Sequence, residues 1–203
     1  MRARRGVPVE MTRRARWVRH DAYKVPLTLF GGPASVVDPR TWTTYEKAAA
    51  STVGTGLGVV LGDGLGCIDL DHAYEGGKLA PWAKAIVDQH RGEAFLIERS
   101  MSGEGVHIFL PMPEARGRKI RDGEVSVEIY SRERYIAVTG DRVWLLDVIG
   151  GALWRGSCSR AGRSRQLGGI SVPVRRCVRR VRRRFGMRRT GVRMLSVRSL
   201  RGV

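Results

Sequence analysis

Short runs in which apolar and polar side chains alternate fill the middle of the chain. The cleanest is Val125-Ser126-Val127-Glu128-Ile129-Tyr130, which predicts a strand with its aliphatic residues packed inward and Ser126, Glu128 and Tyr130 on the opposite face. Val106-His107-Ile108-Phe109-Leu110 reads the same way, with His107 facing away from Val106, Ile108 and Leu110. Phe95 to Glu98 and Tyr135 to Val138 supply two more strands. Gly58 to Leu61 and Gly66 to Asp71 flank Gly62-Asp63-Gly64, a turn signal that predicts a hairpin.

Helical spacing occurs twice. A helix is expected over about residues 41 to 51, after the Asp38-Pro39 turn. Pro81 opens a second, to about His90, in which Trp82, Ala85, Ile86 and Gln89 fall on neighbouring faces. Trp82 there reads as a core residue rather than a base-stacking platform. The expected class is α+β, with helices covering one face of a sheet and the acids on the other.

Charge changes the picture at the carboxyl end. The net charge is +18, but residues 151 to 203 hold 16 of the 37 basic side chains, all of them Arg, and none of the 19 acids. The first 150 residues thus carry 21 basic against 19 acidic side chains and are close to neutral. Three readings of the tail compete: a disordered nucleic-acid-binding arm, a poorly ordered basic helix around Val174 to Phe185, or an out-of-frame translation of a GC-rich gene. The abrupt loss of every acid and every lysine after about Gly150 favours the last. The expected organisation is a basic lead over 1–20, a catalytic domain over 21–150 and an Arg-rich tail, disordered or frame-shifted, over 151–203.

No apolar run is long enough to span a bilayer, and the Arg-rich start lacks the hydrophobic centre of a secretory signal, so a cytoplasmic protein is expected. Cys67, Cys158 and Cys177 form neither a Cys-x-x-Cys pair nor an even disulfide set, and no zinc site is expected.

Candidate chemistry lies between residues 68 and 130. On a strand, Asp69 and Asp71 project from the same side while Ile68 and Leu70 face a core. Such a carboxylate pair suits Mg²⁺ or Mn²⁺, which take oxygen ligands and leave positions for water or phosphate oxygens. If the strand holding Glu128 neighbours Asp69, a third carboxylate joins, and three close acids repel unless a cation sits among them. In Ser102-Gly103-Glu104-Gly105-Val106-His107, Gly103 and Gly105 allow backbone N–H groups to approach a phosphate as an anion nest, and Ser102 can add a hydroxyl. Lys24, Arg99, Arg118, Lys119, Arg121, Arg132 and Arg134 are available for phosphate contacts, with solvated surface as the default for each. Arg116 to Arg121 reads as an exposed connection between strands that could track a template backbone.

Each of these pieces alone is ambiguous; their order is more specific. Asp-x-Asp, then Ser-Gly-x-Gly-x-His, then an isolated acid in a hydrophobic strand resembles the archaeo-eukaryotic primase superfamily, and in particular the bifunctional primase-polymerase amino-terminal domain of phages and plasmids. Lys24 to Thr28, Pro33 to Trp42 and Tyr135 to Gly140 also look like that family, so the resemblance spans roughly residues 17 to 145.

The resemblance implies an RNA-recognition-motif-like antiparallel catalytic sheet joined to a smaller amino-terminal unit. It implies that Asp69, Asp71 and Glu128 hold Mg²⁺ or Mn²⁺, and that Ser102, Gly103, Gly105 and His107 contact the phosphates of a nucleoside triphosphate. The implied activity is template-directed primer synthesis or DNA polymerisation on single-stranded DNA, with a replicative helicase in another chain or in a lost downstream domain as a partner. Two alternatives stay open: a catalytically idle nucleic-acid-binding remnant, and another Asp-x-Asp metal-dependent nucleotide enzyme such as a nuclease or a sugar transferase.

Overall fold

A computed structural model describes residues 6–143 and, for the backbone alone, 164–167 and 170–173. The described part is mixed α+β, with antiparallel sheets and few helices. Strands β1 (Trp17–His20), β2 (Pro26–Leu27), β3 (Gly56–Val60) and β11 (Tyr135–Val138) form a four-stranded sheet in the order β11-β3-β1-β2. Strands β4 (Leu65–Leu70), β7 (Leu96–Arg99), β8 (Val106–Pro111), β9 (Arg118–Asp122) and β10 (Val125–Tyr130) form a five-stranded sheet in the order β7-β8-β4-β10-β9. Every pairing within the two sheets is antiparallel, and β5 (Tyr74–Glu75) and β6 (Lys78–Leu79) pair antiparallel in a small separate hairpin.

Helix α3 (Pro81–His90) connects β4 to β7, and β8 lies between those two strands, which makes a split β-α-β unit. Proline at its first turn suits the start, since the missing N–H would have no partner there. Its apolar stripe of Trp82, Ala83, Ile86 and Val87 packs on Ile68, Leu70, Val106, Ile108, Leu110, Val127 and Ile129. Trp82 is thus a core residue, as its spacing predicts.

The opposite face of the five-stranded sheet meets the other sheet. Leu65, Cys67, Leu96 and Phe109 pack against Trp17, Val59, Ile136 and Val138 in a second core cluster, joined by Met11 from α1 (Val9–Thr12) and Ala48 from α2 (Tyr45–Ala50). Strand alternation therefore sends Ile68 and Leu70 under α3, and Cys67 and Asp69 toward the space between the sheets. Burial pushes the Cys67 thiol well above its usual range, with Asp69 and Glu98 adding to the shift, so it behaves as an inert core residue.

Four expectations are corrected here. The predicted hairpin over 58–71 is not one: Gly62 and Leu65 close a single bridge, and the chain passes from β3 in one sheet to β4 in the other. Residues 9–20 are not a basic lead, because Met11, Trp17 and Val18 are buried and β1 lies in the interior of the four-stranded sheet. Arg118 to Arg121 belongs to an edge strand paired with β10 rather than to a loop. The helix expected over 41–51 is shorter, a 3-10 turn at Pro39–Thr41 followed by α2, which Thr44 caps through the N–H of Lys47.

Of the tail, β12 (Ser164–Leu167) and β13 (Ile170–Pro173) pair antiparallel; the rest of 151–203, including Cys158, Cys177 and the basic stretch from Val174 to Phe185, lies outside the described residues. Among the described residues no helix is long and apolar enough to cross a membrane.

Candidate functional site

Four strand pairings set one transverse row across the five-stranded sheet. Glu98 of β7 is opposite His107 of β8, His107 is opposite Asp69 of β4, Asp69 is opposite Glu128 of β10, and Glu128 is opposite Lys119 of β9. Directly opposed residues share a face, so five charged or titratable side chains line the rim of the space between the sheets. Asp71 follows one row further along the same face, where its backbone N–H and its Oδ2 both meet Ser126.

Contacts along the row are unequal. His107 Nδ1 lies 3.4 Å from Glu98 Oε1, and its Nε2 lies 3.7 Å from Asp69 Oδ1. Glu128 Oε1 is 2.6 Å from Lys119 Nζ, while Oε2 accepts from the Tyr130 hydroxyl at 2.7 Å. Burial raises the Asp69 carboxyl above its ordinary value; Asp71 and Glu128 push the same way, against His107 and Lys24. Burial acts upward on Glu128 too, but Lys119, Tyr130 and Arg134 outweigh it and hold that carboxyl below its usual range. The row thus has one acid whose charge is well matched and one whose charge is not.

Glu98 was not among the residues singled out from the sequence. It is fully buried (0 % exposed) and accepts the backbone N–H groups of Thr139 at 3.1 Å and Gly140 at 2.8 Å as well as facing His107. Its signal in the sequence is its position two residues after Leu96, on the inward face of a short strand where an acid is costly to bury. Lys119, expected only as one of several cations available for phosphate contacts, and Tyr130, expected only on the Glu128 face, both turn out to bind Glu128.

The glycine loop takes a different form from the expected nest. Gly103 N–H donates to Ser100 O, Glu104 N–H to Ser102 Oγ and Gly105 N–H to Ser100 Oγ, so these three amides are engaged inside a tight turn between β7 and β8. Glycine at 105 answers to packing, since a Cβ there would stand 2.8 Å from the Leu70 carbonyl oxygen. Gly103 has φ of +80°, which the turn requires. The loop is pinned to the end of β4 by Ala73 N–H to Glu104 O at 2.7 Å, which holds it beside Asp71.

Two clefts lie near the row, and none of its five residues lines either. One of about 500 Å³ opens beside Asp71 and is lined by His72, Tyr74, Trp82, Arg121 and Ser126. The other, about 580 Å³, lies along β1, β3 and β11 next to Met101, with Arg19, His20, Thr55 and Thr139 in its wall.

Sequence reasoning placed Asp69, Asp71, Glu128 and His107 on one face, and the backbone brings all four there. It does not converge them into a preformed cation cage: among the described residues no group of three or more His, Cys, Asp and Glu side chains is arranged to hold a metal ion. The donor set is nonetheless oxygen-rich, as Mg²⁺ or Mn²⁺ prefers, and the unbalanced charge at Asp69 is what such a cation would relieve. No protein-family model matches the chain, and no curated protein matches it.

Proposed function

We propose that this chain is a primase-polymerase-type nucleotidyl transferase that extends or initiates a strand on single-stranded DNA from nucleoside triphosphates, and that its two-sheet architecture is a version of the primase-polymerase fold. The observation that carries this reading is the transverse row from Glu98 to Lys119 with Asp71 beside it. It gathers acids from residues 69–71 and 128 and a histidine from 107 onto one sheet face, in the combination whose sequence order suggested the family.

A purely structural ladder of ion pairs would alternate its charges. Here Asp69, Glu128 and Asp71 are neighbours, and Asp69, raised first by burial, is pushed further by the other two acids, an arrangement that opposes stability and fits a bound cation. Asp69, Asp71 and Glu128 would hold Mg²⁺ or Mn²⁺, which would supply neutralisation of triphosphate charge and activation of the attacking 3′-hydroxyl. His107, fixed from behind by Glu98, is placed to hold a phosphate oxygen through Nε2 rather than to act as a base. Ser102 contributes through the shape of the turn, with its hydroxyl already bonded to Ser100 and Glu104. A helicase in another chain is part of the same proposal.

One observation favours a second reading, an idle nucleic-acid-binding remnant: both Glu128 oxygens are taken by Lys119 and Tyr130. Labelled-nucleotide incorporation on primed and unprimed single-stranded DNA, with Mg²⁺ or Mn²⁺, separates the two. The proposal expects incorporation by the chain and its loss in the Asp69→Ala/Asp71→Ala form. Incorporation that survives the double substitution, or none from a folded chain, overturns it.

A further inference from the structure

Glu128 stands opposite Asp69 in strand register but points its charge to the other side of the row. Its Oε1 is 2.6 Å from the Lys119 ammonium and its Oε2 2.7 Å from the Tyr130 hydroxyl, and Lys119 sits on β9, the edge strand. The Lys119 side chain is 59 % exposed and that of Glu128 9 %, so the lysine reaches inward from solvent to a nearly buried acid. Tyr130 also meets the lysine, and a flexible four-carbon stem lets it leave without disturbing the β9–β10 pairing.

We propose that Lys119 is an internal cation that occupies Glu128 and would be displaced when a divalent cation is held by Asp69 and Glu128, with the Tyr130 hydroxyl as the second half of the latch. This rests on the cation-binding reading of Asp69 and Glu128 given above. The arrangement explains why acids brought into adjacent register do not form a preformed cage: the third acid is held by a monovalent surrogate. Displacement frees an ammonium group at the edge of the row, on the same face as Arg121, where a triphosphate or template phosphate would meet it.

The latch predicts that cation affinity is set partly by competition. Removing Lys119 should tighten binding beyond the general effect of removing a positive charge nearby, because Lys119 pairs directly with the Glu128 carboxylate. Arg121, two residues away on the same strand face, provides the control for the general effect.

Mn²⁺ binding to the full chain is measured by loss of the free-ion electron paramagnetic resonance signal, for the parent chain and for Lys119→Met, Arg121→Met, Tyr130→Phe and Asp69→Asn, each shown to fold by circular dichroism. Lys119→Met is expected to bind about three- to tenfold more tightly than Arg121→Met, as the loss of one competing ion pair implies, with Tyr130→Phe shifted the same way by less. Equal affinities for Lys119→Met and Arg121→Met, with Mn²⁺ still bound by the parent in a manner lost in Asp69→Asn, overturn the latch and leave the cation site standing. Absence of Mn²⁺ binding in every form overturns both the latch and the cation-binding reading beneath it.

Discussion

Glu98 Oε1 lies 3.4 Å from His107 Nδ1, with Glu98 fully buried behind the ring. The same carboxylate accepts from Thr139 and Gly140, where the chain leaves β11, so one side chain orients the histidine and ties the two sheets together at the back of the site. A carboxylate behind an imidazole accepts from Nδ1–H and leaves Nε2 facing the site.

Glu98→Ala leaves two backbone N–H groups and a ring nitrogen without their acceptor in a closed space. We expect it to cost about 3 kcal/mol or more of unfolding free energy, the range for breaking a buried charged contact, and Glu98→Gln to cost less because the amide oxygen retains part of the set. Urea denaturation monitored by tryptophan fluorescence measures both. A cost below about 1 kcal/mol for the alanine form would show that the site does not depend on this anchor.

Asp69 gives the cation-free chain a recognisable pH signature. Its folded-state carboxyl is raised, first by burial and then by Asp71 and Glu128, so between its unfolded and folded values the native state binds more protons than the unfolded state. Stability contributed by the protonated form is therefore lost as pH rises through that window. Asp69→Asn should melt a few degrees higher than the parent at pH 7 in chelator, and the two should converge in acid, below about pH 4, where the parent carboxyl is protonated in both states.

Glu128 should behave in the opposite sense. Burial acts upward, but Lys119, Tyr130 and Arg134 hold its carboxyl below the usual range, so the stability it contributes is present above the unfolded value and lost as pH falls through the folded one. Glu128→Gln is expected to be less stable than the parent at pH 7 and equal to it in strong acid. Added salt should shrink the difference, because Lys119 is open to solvent. Parallel pH-melting series for the two substitutions, moving in the same direction, would contradict this division of roles.

What was legible in the sequence follows from what is local. The alternation in 106–110 and 125–130 and the spacing in 81–90 locate β8, β10 and α3, because the aliphatic face of each strand and the apolar stripe of the helix meet in one core cluster. Gly62-Asp63-Gly64 misleads because a turn signal fixes a change of direction and says nothing about partners; β3 pairs instead with residues 17–20 and 135–138, far away in the chain. Strand β9 carries charge at four of its five positions, since an edge strand beside solvent needs no alternation, and so it reads as a loop. The site is partly legible for the same reason: Asp69, Asp71, His107 and Glu128 show as polar positions in apolar strands, whereas Glu98 and Lys119 gain their meaning only from register.

The amino-terminal boundary provides a test independent of any chemistry. Arginines surround Met11, Trp17 and Val18 in sequence, yet Trp17 is 0 % exposed, stacks edge-on with Tyr45 at 4.9 Å, and donates its indole N–H to Met11 O. β1 also supplies the pairing edge for both β2 and β3, so its removal takes out an inner strand rather than a tail. Trp17→Ala is expected to cost about 3–5 kcal/mol, as for other large aromatic truncations in a core. A chain starting at residue 21 should lose cooperative unfolding altogether, whereas one starting at Gly6 should keep it. A cooperative melt from the shorter form, followed by circular dichroism, would return residues 9–20 to the status of a lead and remove the four-stranded sheet as a support for the site.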